Sequence, residues 1–218
     1  MRKTILFDID GTLLHAQGLG RPVFANAFQT AYGLNYPKMK SVSFVGATDS
    51  GVIRSMAAEC GLESTPAREK HFYELLARDL GELLELHPPK LYPGVTDLVR
   101  TLSESYTLGL VTGNIRSTAW AKLRCADLDR YFTFGAYGDE HELRGDIARA
   151  AVARAQHKPF LLVGDTPSDV EAAKAAGLKS LIVMTGWVTR ESVADADYIL
   201  DDFSDVAAAV ELIRIAAE

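Results

Sequence analysis

The strongest constraint on the fold is a set of four short apolar runs, Thr4–Phe7, Leu108–Val111, Phe160–Val163 and Ser180–Met184, each bounded by Gly- or Asp-bearing polar segments. Runs this short with such boundaries predict strands buried on both faces, because a strand with one wet face alternates apolar and polar residues. Helical patterns lie between and after them. Val95, Leu98, Val99 and Leu102 recur at helical spacing, and Ile115 through Leu123 form a second segment. A third begins TPSD at 166, where Pro167 suits a first helical turn, and stops at Gly177. Strands alternating with helices predict an α/β protein whose Rossmann-like parallel sheet carries helices on both faces.

Residues 16–91 break that rhythm. Val52, Ile53, Met56 and Cys60 share one helical face, and Phe72, Leu75, Leu76, Leu83 and Leu84 share another, with no buried strand between them. The expected organisation is therefore a core from residues 1–15 and 92–218 with an α-helical insertion at 16–91. Linkers are expected at AQGLGRP (16–22) and HPPKLYPG (87–94), where Gly and Pro interrupt the helical patterns.

Charge and composition exclude several classes of function. The 23 Lys and Arg residues face 29 Asp and Glu, a net charge of −6 without basic clusters, so no footprint for nucleic acid exists. No apolar stretch approaches the roughly 20 residues of a membrane-spanning helix. The four apolar residues ahead of the acidic pair at the start are too few for a secretory signal, so a cytoplasmic protein is expected. Cys60 and Cys125 stand far apart without metal-ligand spacing, and no disulfide is expected.

Three strand ends carry chemistry. ILFDIDGTLL ends a strand in Asp8 and Asp10, whose side chains start on one side of an extended segment. Two adjacent carboxylates repel one another unless a cation lies between them, and oxygen ligands favour magnesium. An Asx turn ahead of a helix cap is the plainer reading of D-x-D-G alone. LGLVTGN ends in Thr112, Gly113 and Asn114, a hydroxyl and backbone N–H groups suited to phosphate oxygens. FLLVGDTPSDV ends in Asp165 and Asp169, which also fit simple helix capping. Parallel strands bring all three ends to one crevice, where α/β sheets bind ligands.

DIDGT at 8–12, VTGN at 111–114 and GDTPSD at 164–169 resemble, in order, the first, second and fourth signature motifs of haloacid dehalogenase (HAD) superfamily phosphohydrolases. The resemblance spans the sheet domain and implies magnesium-dependent hydrolysis of a phosphate monoester. It makes Asp8 the nucleophile that forms an aspartyl-phosphate and touches the metal. Asp10 would be the general acid/base, with its backbone carbonyl on the metal, Asp165 a direct ligand, and Asp169 a holder of metal-bound water. Gly11, Thr112, Gly113 and Asn114 would bind phosphate. The third motif usually supplies a Lys; Arg144 is the best match in this chain, and Lys158 is the competing cation.

An insertion between the first two motifs corresponds to the helical cap type of the superfamily, and VGATDSGVIR at 45–54 resembles phosphoglycolate-phosphatase-like members. Asp49 stands where the sugar-phosphate mutase branch carries an Arg, and Asp10 is the residue dehalogenases lack. A binding or regulatory protein, a mutase and a nucleotidase are the alternatives. The expected partner is a small phosphorylated metabolite, with no nucleic acid or membrane, on a monomer or homodimer. Arg21 and Arg116 are candidates to meet an acidic leaving group. The five His residues are expected to be structural or surface groups, Trp120 is expected to pack, and Trp187 either packs or lines the crevice rim.

Overall fold

The computed structural model describes residues 2–218. Six parallel strands form the main sheet: β1 (Thr4–Phe7), β4 (Thr107–Val111), β5 (Phe132–Ala136), β6 (Pro159–Gly164), β7 (Lys179–Val183) and β8 (Tyr198–Leu200). Their order is β5-β4-β1-β6-β7-β8, so β1 lies between the two strands that carry the other motifs. All four β1 residues are buried, and alternation sends Ile5 and Phe7 to one apolar layer and Leu6 to the other.

On the first face, Leu108, Leu110, Leu161, Val163, Leu181 and Val183 join Ile5 and Phe7 under α4 (Val95–Ser105), α5 (Arg116–Cys125) and α8 (Val206–Ala216). The opposite face is thinner. There α6 (Arg144–Arg154) and α7 (Pro167–Ala175) set Ala148, Ala151, Ala172 and Ala173 against Leu6 and Leu162, and small side chains let the helices approach closely. This architecture is the Rossmann-like α/β fold expected from the four runs.

Four strands have no counterpart among the four apolar runs, two of them in the main sheet. β5 is an edge strand in which Thr133 and Phe134 are not buried, and β8 is a three-residue edge whose residues are all half-buried, so neither presents a continuous apolar run. The paired strands Leu14–His15 (β2) and Lys90–Leu91 (β3) form a small antiparallel ladder that holds the two linkers side by side. Tyr92 N–H donates to the Leu13 carbonyl at 3.1 Å, and Gln17 reaches the Pro88 carbonyl at 2.9 Å.

Between those linkers stand α1 (Gly20–Tyr32), α2 (Asp49–Glu59) and α3 (Pro66–Leu86). Phe72, Leu75, Leu76, Leu80 and Leu84 line one stripe of α3 and pack with Phe24, Phe28, Ile53 and Met56. Truncating the fully buried Phe72 to Ala would cost about 3–5 kcal/mol. Cys60 ends α2 half-buried instead of joining its buried face. Ile115, at the start of α5, belongs to this same cluster, so the helical segment rests on the sheet domain through an apolar contact. Among the described residues no helix is long and apolar enough to cross a membrane.

Candidate active site

Asp8, Thr112 and Asp165 take their positions from strand ends. The Asp8 N–H donates to the Val163 carbonyl at 2.9 Å, which extends the β1–β6 pairing by one residue and places the carboxylate at the carboxyl edge of the sheet. Gly11 turns the chain there with φ of 86°. A Cβ on Gly11 would lie 2.1 Å from Asp165 Oδ2, so only glycine lets the first loop pass the Asp165 carboxylate. Thr12 Oγ1 donates to Asp165 Oδ1 at 3.2 Å.

Asp169 is fully buried, and both of its oxygens are engaged. Its Oδ2 accepts from the backbone N–H groups of Asp165 and Thr166 and from Thr166 Oγ1, closing the first turn of α7. Its Oδ1 accepts from Arg144 Nε at 2.8 Å. Capping and site chemistry are thus combined in one carboxylate.

Arg144, the first residue of α6, is buried, and its Nη2 lies 2.8 Å from both Asp8 Oδ1 and Asp169 Oδ1. These are ion-pair contacts without an aligned hydrogen bond, so a buried N–H remains available for an incoming oxygen. Lys158 stands exposed immediately before β6, at the opposite end of the sheet from the motif loops. It is remote from Asp8.

Asp8, Asp165 and Asp169 each offer an oxygen within 4.8 Å of the others. Burial, together with Asp169 and Asp10, pushes Asp8 up to about 7, against the pull of Arg144. Burial, with repulsion from Asp169 and Asp8, pushes Asp165 up to about 9. Asp8 and Asp165 both resist ionisation, and this cluster of oxygen donors fits a hard divalent cation.

The second motif forms the opposite wall. Thr112 Oγ1 accepts from the Asn114 N–H at 3.3 Å and from Asn114 Nδ2 at 2.8 Å. Asn114 Nδ2 also donates to Asp10 Oδ2 at 2.7 Å. The same Asp10 oxygen meets Lys122 Nζ at 2.5 Å, and Lys122 donates to Asn114 Oδ1 at 2.6 Å. Lys122 escaped the sequence reading; its one signal was a cation among Ile115, Ala119 and Leu123 on the buried stripe of α5.

The loop before α2 forms a roof. Gly113 donates no space to a side chain: a Cβ there would meet the Ala47 carbonyl oxygen at 2.0 Å. The Asp49 N–H donates to the Gly113 carbonyl at 2.8 Å, and Asp49 Oδ2 accepts from the Ile115 N–H at 2.9 Å. Burial pushes Asp49 up to about 6, opposed by that hydrogen bond and by Lys122. Thr48 Oγ1 donates to the Glu142 carbonyl at 2.7 Å. A cavity of about 810 Å³, lined by Lys38, Thr48, Glu142, Arg144, Arg149 and Ser168, flanks the site on the α6–α7 side and reaches Arg144 but neither Asp8 nor Asp10.

The remaining candidates are placed elsewhere. Arg21 donates to the Met39 carbonyl and lies over Phe44, and Arg116 lies over the Tyr137 ring. Trp120 donates to Tyr137 Oη at 2.7 Å. Trp187 is 92% exposed, which excludes the packing role, and it follows Gly186, where a Cβ would lie 1.9 Å from Asp165 Oδ2. All five His residues are exposed.

With this fold and site in place, residues 5–183 match the model of the haloacid dehalogenase-like hydrolase family. The chain belongs to that family and is an enzyme of the HAD phosphatase type. It is 30% identical to a phosphoglycolate phosphatase of Synechococcus elongatus over 97% of this chain and 99% of that protein. It is 28% identical to the pyrophosphatase PpaX of Halalkalibacterium halodurans over 93% and 94%. Its fold is similar to that of CbbY from Rhodobacter sphaeroides, solved with phosphate, at a TM-score of 0.74 and 22% identity over 94% of this chain and 96% of that one.

Proposed function

We propose that the protein hydrolyses a small phosphate monoester of the phosphoglycolate type in the cytoplasm, through a phosphorylated Asp8, with magnesium as cofactor. The observation that carries this reading is the convergence of Asp8, Asp165 and Asp169 on one buried point with Arg144 against Asp8. Asp8 and Asp165 would hold the ion directly, joined by the Asp10 backbone carbonyl. Asp169, whose oxygens already accept several hydrogen bonds, would act through water. Bound magnesium offsets repulsion between an anionic nucleophile and an anionic phosphoryl group.

The protein's own groups do the rest. Asp8 attacks phosphorus, the phosphorus–oxygen bond of the ester breaks, and the Asp10 carboxyl delivers its proton to the departing oxygen. Asp10, now a carboxylate, takes a proton from the water that attacks the aspartyl-phosphate, which frees phosphate and restores Asp8. Arg144, Thr112 and the N–H groups near Gly11 and Gly113 would meet the phosphoryl oxygens as charge develops, while the Asn114 amide is spent on Thr112 and Asp10. Residues 16–91 serve as a cap, hinged at the β2–β3 ladder beside Gln17 and Gly18, both at positive φ. The cap excludes water from the acyl-phosphate.

A panel of 2-phosphoglycolate, a sugar phosphate, a nucleoside monophosphate and pyrophosphate, each assayed with magnesium, tests this reading. Turnover is expected to be highest for the small carboxylated ester and absent in chelator. Pyrophosphate belongs in the panel because of the PpaX relatives. No turnover of any member, or full activity in chelator, overturns it.

A further inference from the structure

Among the described residues Lys122 is the one buried cation that the proposed reaction does not use. Its side chain is 7% exposed, on an α5 stripe shared with Ile115, Ala119 and Leu123, where a Met would pack without desolvating a charge. Its ammonium is spent on Asp10 Oδ2 at 2.5 Å and Asn114 Oδ1 at 2.6 Å. Asn114 Nδ2 meets the same Asp10 oxygen at 2.7 Å.

Asp10 Oδ2 therefore carries two donors, while no hydrogen bond to Oδ1 exists among the described residues. The Asp10 side chain is 40% exposed, so it remains open to an incoming group although Oδ2 is engaged. Two donors on one oxygen fix the carboxyl plane. They leave Oδ1 as the oxygen without a partner.

We infer that Lys122 is a positioning residue for proton transfer, which together with Asn114 pins Asp10 Oδ2 so that Oδ1 is presented to the leaving-group oxygen. This rests on the acid/base role of Asp10 in the proposed function. As the ester bond breaks, its electron pair goes to the leaving oxygen and the proton on Oδ1 follows. The proton returns to Oδ1 from the water that attacks the phosphorylated Asp8. Lys122 itself gives and takes no proton.

A positioning role predicts a dependence on the leaving group. An alkoxide leaves only with protonation, whereas 4-nitrophenolate leaves almost without help, so misplacing the acid penalises the two esters unequally. The Lys122→Met variant keeps the stem and removes the donor. Its kcat/KM for an alkyl phosphate is expected to fall by roughly 10²-fold, within the range of general acid catalysis, and that for 4-nitrophenyl phosphate by much less. Placed in an Asp10→Asn background, the same change should add almost nothing on the alkyl ester, because both substitutions remove one function.

Thermal unfolding and inhibition by inorganic phosphate report whether the variant is folded with its phosphate site intact. Equal losses on both esters, or full additivity with Asp10→Asn, would overturn the positioning role and leave the phosphatase reading standing. If Lys122→Met does not fold, Asn114→Leu, which removes the other donor to Oδ2, must show the leaving-group dependence or the inference fails. A wild-type protein that hydrolyses neither ester refutes the phosphatase reading and this inference with it.

Discussion

The floor and the roof of the site are built on different principles. On the floor, Asp8, Thr112 and Asp165 each follow a buried strand by one residue, so the sheet's own hydrogen bonds fix their backbones and the side chains converge. On the roof, Thr48 and Asp49 bond to the Glu142 carbonyl, the Gly113 carbonyl and the Ile115 N–H, groups that every residue possesses. A floor position demands one side chain for its chemistry. A roof position demands only a donor or acceptor, which frees its sequence to follow the substrate.

The largest expected effect lies at the centre of the floor. Asp8→Asn keeps the shape and removes the anionic oxygen, so turnover should fall by roughly 10⁴-fold or more while the fold survives, because its buried carboxyl is already hard to ionise. Steady-state kinetics beside a melting curve checks both halves. Residual activity above about a tenth of wild type would end the covalent role.

Next comes the metal, which acts on the floor, and the dependence of its effect on pH. Asp8 and Asp165 have folded-state pKa values raised from 3.8 to about 7 and about 9, so the metal-free native state binds more protons than the unfolded chain. Metal-free stability is then full near pH 4 and falls as pH rises through that window. Magnesium, by pairing the carboxylates, should raise the melting temperature more at pH 8 than at pH 5. Asp165→Asn should erase most of that difference, and equal shifts at both pH values would contradict the carboxylate site.

Arg144 joins floor and roof, since it touches Asp8 and Asp169 and lines the flanking cavity. Arg144→Ala should cost about 2–4 kcal/mol in kcat/KM, the loss of one preorganised charge-stabilising group. Arg144→Lys should restore part of it, since one ammonium replaces a fork that bridges two carboxylates. A silent Arg144→Ala would remove the cation from the mechanism.

The same contrast explains what the sequence discloses. β1 is legible because four apolar residues run into D-x-D-G-T, so strand end and chemistry are adjacent in sequence. The helical character of α2 and α3 is legible from their apolar stripes, although Cys60 falls outside the buried face of α2. The edge strands β5 and β8 are not, because half-buried residues do not form apolar runs. Lys122 illustrates the deeper limit: it lies 112 residues from Asp10, and only the parallel pairing of β1 with β4 brings α5 over the first motif. Arg144 is the best match to the third-motif cation, yet its contact with Asp169 across α6 and α7 has no local signature.

The smallest expected effect is at the roof, at Asp49. Its carboxylate accepts one hydrogen bond from Ile115, and burial raises it to about 6, which means the charge is close to a burden where it stands. Protonation favours the docked arrangement, so its contribution to docking is full near pH 4 and falls as pH rises through about 6. Asn is permanently neutral and keeps an acceptor oxygen, so Asp49→Asn should bind the best anionic ester as tightly as wild type or more so at pH 7. Ala removes the acceptor and leaves the Ile115 N–H without its partner, a loss of about 0.5–1.5 kcal/mol that should appear as a rise in KM of roughly 2- to 12-fold with kcat little changed. The order Asn, wild type, Ala in rising KM would mark Asp49 as a latch for the cap. If Asn is instead as damaging as Ala, the negative charge itself is being used, and Asp49 reads a cationic or hydrogen-bond-donating group on the leaving alcohol.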